Sequence, residues 1–261
     1  MEKEKQPVKR VDEPKNQWGS NEIVKKDFLL IPIYICFQIL TPIIIVFGVL
    51  GVTAMITQDP PPLYFYNLTL SISFVIAQFV TIVAFFALHK LYIADVARRQ
   101  FAQVKIRHLP MIIAVSTSAL ILFYGVNLLA KVLPAPLAYN QTQAQIQLDG
   151  LFNHPSAIIF TFITMVILRP LIEELIYRHL FIHELGKKFN IVFMIILSVV
   201  VEVGFHVYDL ISILEIVPYA LLSIGATIVY IRSGKNLAAS YLYHSSVQLV
   251  IFIITMMERF F

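Results

Sequence analysis

The stretch FLLIPIYICFQILTPIIIVFGVLGVTAMI, Phe28–Ile56, contains no charged residue. A helix needs about 20 mainly apolar residues to cross the hydrocarbon core of a bilayer, and this run exceeds that. Similar runs follow at Leu63–Leu88, Met111–Ala130, Pro155–Leu185, Ile191–His206, Ser212–Ile231 and Leu237–Met257. Arg169, Glu173, Glu174 and Arg178 interrupt the fourth, and the fifth has the shortest clean apolar stretch. The reading is an all-α, polytopic membrane bundle of about seven transmembrane helices.

Composition agrees. Hydrophobic residues make up 58% of the 261 residues and charged residues 14%, against roughly 45–50% and about 25% in a soluble domain. That excludes an ordinary soluble domain, a disordered chain and a coiled coil. The single cysteine, Cys36, excludes a disulfide scaffold. A pI near 9.1 does not point to nucleic acid, because the charges cluster at the ends of apolar runs, next to lipid headgroups. Segments rich and poor in Lys and Arg alternate along the chain, putting 18 of these residues on one side and 2 on the other. By the positive-inside rule the N-terminus is cytoplasmic and the C-terminus external, in a multi-pass protein of the cell membrane. Three regions follow: a polar cytoplasmic tail (1–27, without signal-peptide character), helices one to three with an external loop (28–150), and a core of helices four to seven (151–261).

An ionisable group at the bilayer centre costs about 2.5–3.5 kcal/mol on insertion scales and marks function by default. The set is Glu173, Glu174, Arg178, Glu202, His206, Asp209, Glu215 and His244. Asp209 and Glu215 flank a short link and read as solvated. His89, His108, His179 and His183 fall near span ends and read as interfacial. Glu174 and Arg178 share a helix face and form an ion pair. Glu173 shares its face with Tyr177 instead, so it is expected to stay free while its neighbour is neutralised. Counted from the turn at Lys187–Asn190, Glu173 and His206 lie about 21 and about 24 Å along their helices, level in an antiparallel hairpin. Glu202 and His206 share a face, as do His244 and Gln248. There is no His-Glu-x-x-His and no Gly-x-Ser-x-Gly, which argues against a zincin and a nucleophile-elbow hydrolase.

The stretch Glu173-Glu174-Leu-Ile-Tyr177-Arg178 resembles the Glu-Glu-x-x-x-Arg motif of the CAAX protease and bacteriocin-processing family of intramembrane endopeptidases. Glu202-Val-Gly-Phe-His206 takes the place of its Phe-x-x-x-His motif, with Glu202 for the aromatic residue. His244-Ser-Ser-Val-Gln248 takes the place of its third motif, with Gln248 for an asparagine. The resemblance covers roughly Pro155–Ile254. It implies a catalytic set of Glu173, Glu174, His206, His244 and Gln248, supported by Arg178, Glu202 and Tyr177.

Peptide hydrolysis needs an activated water and a stabilised oxyanion. The expected roles are Glu173 as base and His206 as the group orienting the water or passing its proton; the resemblance implies that His244 and the Gln248 amide face the oxyanion. Glu173, His206 and His244 are also a donor set for zinc, so metal-free and zinc-dependent schemes both stand at this point. The expected substrate is a membrane-associated peptide or protein segment. Two other readings remain: a non-catalytic bacteriocin self-immunity or regulatory protein on the same fold, and a small transporter with an acid–histidine relay.

Overall fold

The structure, a computed structural model, describes residues 21–89, 92–104, 108–142, 145–146, 149–152, 154–207 and 210–260. The polar tail up to Ser20 and Asp209 lie outside the described residues. The described part is all-helical and contains no strand. A short turn, Lys25–Leu29, leads into α1, Leu30–Thr57. Then come α2, Leu63–His89; α3, Tyr92–Gln103; and α4, Leu109–Ala130. The long α5, Pro155–Lys187, is followed by α6, Ile191–His206; α7, Ile216–Arg232; and α8, Leu237–Phe260.

Six helical runs, among the described residues, are long and apolar enough to cross a membrane: Lys25–Thr57, Leu63–His89, Leu109–Ala130, Pro155–Lys187, Ile213–Arg232 and Leu237–Phe260. The remaining expected span, the fifth along the chain, is α6, a shorter apolar helix of 16 residues. The chain is thus a multi-pass membrane protein whose count of about seven becomes six long helices and one short one. Helix α3 lies where the sequence reads as a plain connection. It is amphipathic, with Ile93 buried and Asp95, Arg98 and Arg99 exposed.

The polarity of the bundle is inverted relative to a soluble protein. Phe47, Met55 and Ile56 of α1 are three-quarters or more exposed, a cost in water that lipid removes. Inside, α2 buries Asn67, Thr69, Ser71, Ser73, Gln78 and Thr81. Their hydroxyls are satisfied largely within their own helix: Thr69 donates to Phe65 O at 2.8 Å, Ser71 to Asn67 O at 2.9 Å and Thr81 to Ala77 O at 2.8 Å. Small polar side chains let helices approach closely where lipid offers no hydrophobic drive to bring them together.

Caps fix where the helices begin. The Asn190 Oδ1 accepts from the N–H groups of Val192 and Phe193 at 2.9 and 3.3 Å, starting α6. Ser212 and Glu215 form a capping box ahead of α7. Glu215 is therefore buried against the Ile211 and Ser212 N–H groups at 2.8 and 3.1 Å. That corrects its reading as solvated: in this position the carboxylate takes backbone donors instead of water. Gly234, at φ +79°, turns the chain between α7 and α8, where a side chain would be strained.

Helix α5 is not uniform. It is α-helical over Pro155–Phe162 and Arg169–Glu173, and π-helical over Ile163–Leu168 and Glu174–Glu184. A π stretch widens the helix, and such stretches are frequent at functional sites. Each receives a serine from a neighbour: Ser245 of α8 donates to Val166 O at 2.7 Å, and Ser198 of α6 donates to Tyr177 O at 2.8 Å. Helices α7 and α8 meet at Gly225, where an added Cβ would collide with the Tyr243 hydroxyl. That hydroxyl donates to Leu222 O at 3.1 Å. Three helices are thereby drawn around the middle of α5.

Candidate active site

The site is built from α5, α6, α7 and α8. Glu173 ends the α-helical turn of α5 and Glu174 begins the π stretch, so the two carboxylates diverge. Both are buried. His206, at the end of α6, brings Nε2 to 3.7 Å from Glu173 Oε1, the level placement that the helix spacing predicts. His244, on α8, directs one ring nitrogen to each glutamate. Its Nδ1 lies 3.0 Å from Glu174 Oε1 and its Nε2 3.3 Å from Glu173 Oε2. Glu173 Oε2 makes no hydrogen bond among the described residues.

Below these lies a fixed ionic layer. Arg178, fully buried, places Nη1 at 3.4 Å from Glu174 Oε1 and 2.8 Å from Glu202 Oε2. Its Nη2 donates to Ser223 O at 2.8 Å, while the Ser223 hydroxyl donates to Glu202 Oε2. The expected Glu174–Arg178 pair is present, and Arg178 also captures Glu202. The Glu202 carboxylate is thus engaged by Arg178 and Ser223. The Glu202 backbone carbonyl does the orienting, accepting from His206 Nδ1 at 2.9 Å. With Nδ1 donating to a carbonyl, Nε2 carries the lone pair of the neutral ring.

One expectation is overturned. Glu173 is not the free carboxylate of the pair: Arg169, four residues earlier, donates from Nε to Glu173 Oε1 at 2.7 Å and from Nη2 to His206 Nε2 at 3.1 Å. The signal was the i, i+4 spacing of Arg169 and Glu173, the same spacing as Glu174 and Arg178. Ser223 and Tyr219 also escaped the sequence reading. Tyr219 places its ring 5.3 Å from that of His206 and its hydroxyl 3.0 Å from Thr142 Oγ1. Neither residue is near the motifs in sequence, and only folding brings them in.

The remaining expected residues fall as follows. Tyr177 is buried in the apolar core with Leu180 and Tyr230. Gln248 is half-buried one turn beyond His244, with no side-chain hydrogen bond among the described residues. Glu173, Glu202 and His244 each place a ligand atom within 4.8 Å of the others. Arg169 faces Glu173 Oε1 at 2.7 Å and Arg178 faces Glu202 Oε2 at 2.8 Å, and these guanidinium charges weaken the hold of the set on a divalent ion. His206 Nε2, the other expected donor, is occupied by Arg169.

Residues 155–250 match the family model described as type II CAAX prenyl endopeptidase, Rce1-like. Every residue of the site just described lies inside that segment, Thr142 apart. The similarity is to CAAX-type intramembrane proteases at the level of the family. No curated protein and no solved structure matches the chain.

Proposed function

We propose that the protein is an intramembrane endopeptidase that hydrolyses a peptide bond in a membrane-associated peptide or protein, with water activated by Glu173. The observation that carries this reading is the buried Glu173 carboxylate set between His206 and His244, with Oε2 left without a hydrogen bond. That oxygen takes a proton from water as the water oxygen bonds to the scissile carbonyl carbon. The oxyanion draws on donors at its edge, His244 Nε2 and the Gln248 amide, which lie four residues apart on α8. Glu173 then returns its proton to the departing amine as the C–N bond breaks. Arg169 holds Glu173 and His206 together, and Arg178 holds Glu174 and Glu202 in place. No step passes through a metal. The proposed topology keeps the N-terminus cytoplasmic and the C-terminus external in the cell membrane.

The test compares protein and peptide termini, by mass spectrometry, in membranes carrying wild type or Glu173→Gln at equal levels. Termini confined to wild type support proteolysis and identify substrates. Identical termini overturn it.

Arg169 favours a second reading, a non-catalytic immunity or regulatory protein. A guanidinium bonded to both Glu173 and His206 occupies the two groups that would handle water. Under that reading Glu173→Gln leaves the cellular phenotype intact.

A further inference from the structure

A second buried polar centre lies about one turn beyond the first along α5, and it rests on different chemistry. Asp27, in the turn before α1, is 1% exposed. Its carboxylate faces two imidazoles, one on each oxygen. His89 Nε2, at the end of α2, is 2.8 Å from Oδ1, and His179 Nε2, in the π stretch of α5, is 2.7 Å from Oδ2. Glu184, fully buried, puts a carboxylate oxygen within 4.8 Å of ligand atoms of Asp27 and His179.

The proton count at His89 decides what this centre wants. Its Nδ1 lies 2.9 Å from Phe85 O, a carbonyl that only accepts, so Nδ1 carries a hydrogen. In the neutral ring Nε2 is then a lone pair aimed at a carboxylate oxygen. Two acceptors then face one another in a buried site, so a second ring proton or a metal ion has to lie between them, and the further carboxylate beside them, Glu184, favours the divalent ion. An imidazole whose far nitrogen donates to a backbone carbonyl is also the usual orientation of a metal-bound histidine. Among the described residues no guanidinium enters here, unlike at Glu173 and Glu202. Of the nearby ammonium groups, Lys26 donates to Leu88 O at 3.0 Å and Lys187 to Glu184 at 2.6 Å. The Phe85 ring lies 4.7 Å from that of His89 and 6.3 Å from that of His179, an apolar wall that strengthens charge–charge attraction.

We infer that Asp27, His89 and His179, with Glu184 beside them, bind a divalent zinc-class ion. Two imidazole nitrogens and a carboxylate are an ordinary zinc donor set, and the fourth position falls to water or, on release from Lys187, to Glu184. Zinc bonds of about 2.0–2.2 Å put tetrahedral donors roughly 3.3 Å apart; Asp27, His179 and Glu184 already hold ligand atoms within 4.8 Å of one another, and His89, on the opposite Asp27 oxygen, joins them by rotation of its ring and of the carboxylate. The ion ties the segment before α1 to the helix that carries Glu173. Val24 N–H already reaches Glu184 Oε2 at 2.7 Å across the same join. Asp27 and His89 lie outside residues 155–250, so this site is independent of the family match.

The test measures zinc per chain in the full-length protein, purified in detergent and dialysed against micromolar zinc. His89→Gln is expected to carry one equivalent less than wild type, and Glu173→Gln the same as wild type. Because His89→Gln can fail to fold, zinc-edge X-ray absorption on wild type provides a second reading, and it is expected to show scattering from two imidazoles. Equal zinc in wild type and a folded His89→Gln, zero in both included, overturns the site, as does a wild-type spectrum without imidazole scattering. Neither readout depends on proteolysis, so the two proposals fail separately.

Discussion

Arg178 and His179 are neighbours in sequence and serve opposite centres. Arg178 holds Glu174 and Glu202, whereas His179 faces Asp27. The first centre is neutralised by guanidinium groups, which stay charged and fix carboxylates in place. The second has imidazoles in place of guanidinium groups, and an imidazole can exchange a proton or a metal ion. A permanent cation suits a site whose carboxylates must stay aligned through a reaction, and an exchangeable one suits a join that is made and released. Removing the permanent cation should therefore have the largest effect. Arg178→Ala leaves two buried carboxylates facing each other, and breaking such a pair costs about 3–5 kcal/mol. The expected outcome is loss of the folded protein, read as early thermal unfolding in detergent. An Arg178→Ala variant that unfolds like wild type would break the contrast between the two centres.

Glu173→Gln sharpens the same contrast from the functional side. It removes the proposed base while keeping volume and one carbonyl acceptor. Cleavage should fall by about 10²-fold or more, the scale of general-base catalysis, while unfolding temperature and zinc content stay near wild type. Gly225→Ala should act on the first centre alone. The new methyl meets the Tyr243 hydroxyl, pushing α8 and His244 away from α5. Overpacking of this kind costs about 1–3 kcal/mol. The expected result is a lower unfolding temperature and weaker cleavage with zinc binding unchanged; loss of zinc as well would mean that the two centres move together.

The helices were readable because lipid leaves one solution for a backbone without water, and long charge-free runs announce it. Helix α6 gives the weakest hydropathy signal of the seven and is a shorter apolar helix, since a run that ends in Glu202 and His206 stops short of a full span. Helix α3 was missed because charged residues hid its narrow apolar face. Within the first centre, spacing of four residues located Glu174 with Arg178, and turn counting placed Glu173 level with His206. Arg169 carries the same spacing signal toward Glu173. Ser223 carried none, since it reaches Glu202 only through the packing of α7 on α6. The second centre was illegible for a related reason. Asp27, His89 and His179 sit at the ends of three different segments and look interfacial singly. Only the antiparallel return of α2 brings them to one point.

The smallest expected effect lies at the hinge between the centres. Ser198 donates to Tyr177 O, in the π stretch one residue before Arg178 and two before His179. The wider helix offsets this carbonyl from the regular i+4 donor, and the serine supplies a hydrogen bond from α6. Ser198→Ala leaves the carbonyl buried without that partner, which costs about 1–3 kcal/mol if nothing rearranges. The π stretch has a cheaper response, relaxing toward α-helical pairing and rotating the residues after Tyr177 by part of a turn. That rotation displaces Arg178 and His179 together. Ser198→Ala should therefore lower the unfolding temperature by a few degrees while reducing both cleavage and zinc affinity by severalfold. Cleavage falling with zinc affinity intact would mean the π register is held elsewhere along Glu174–Glu184. In that case the two centres share a helix without being coupled through it.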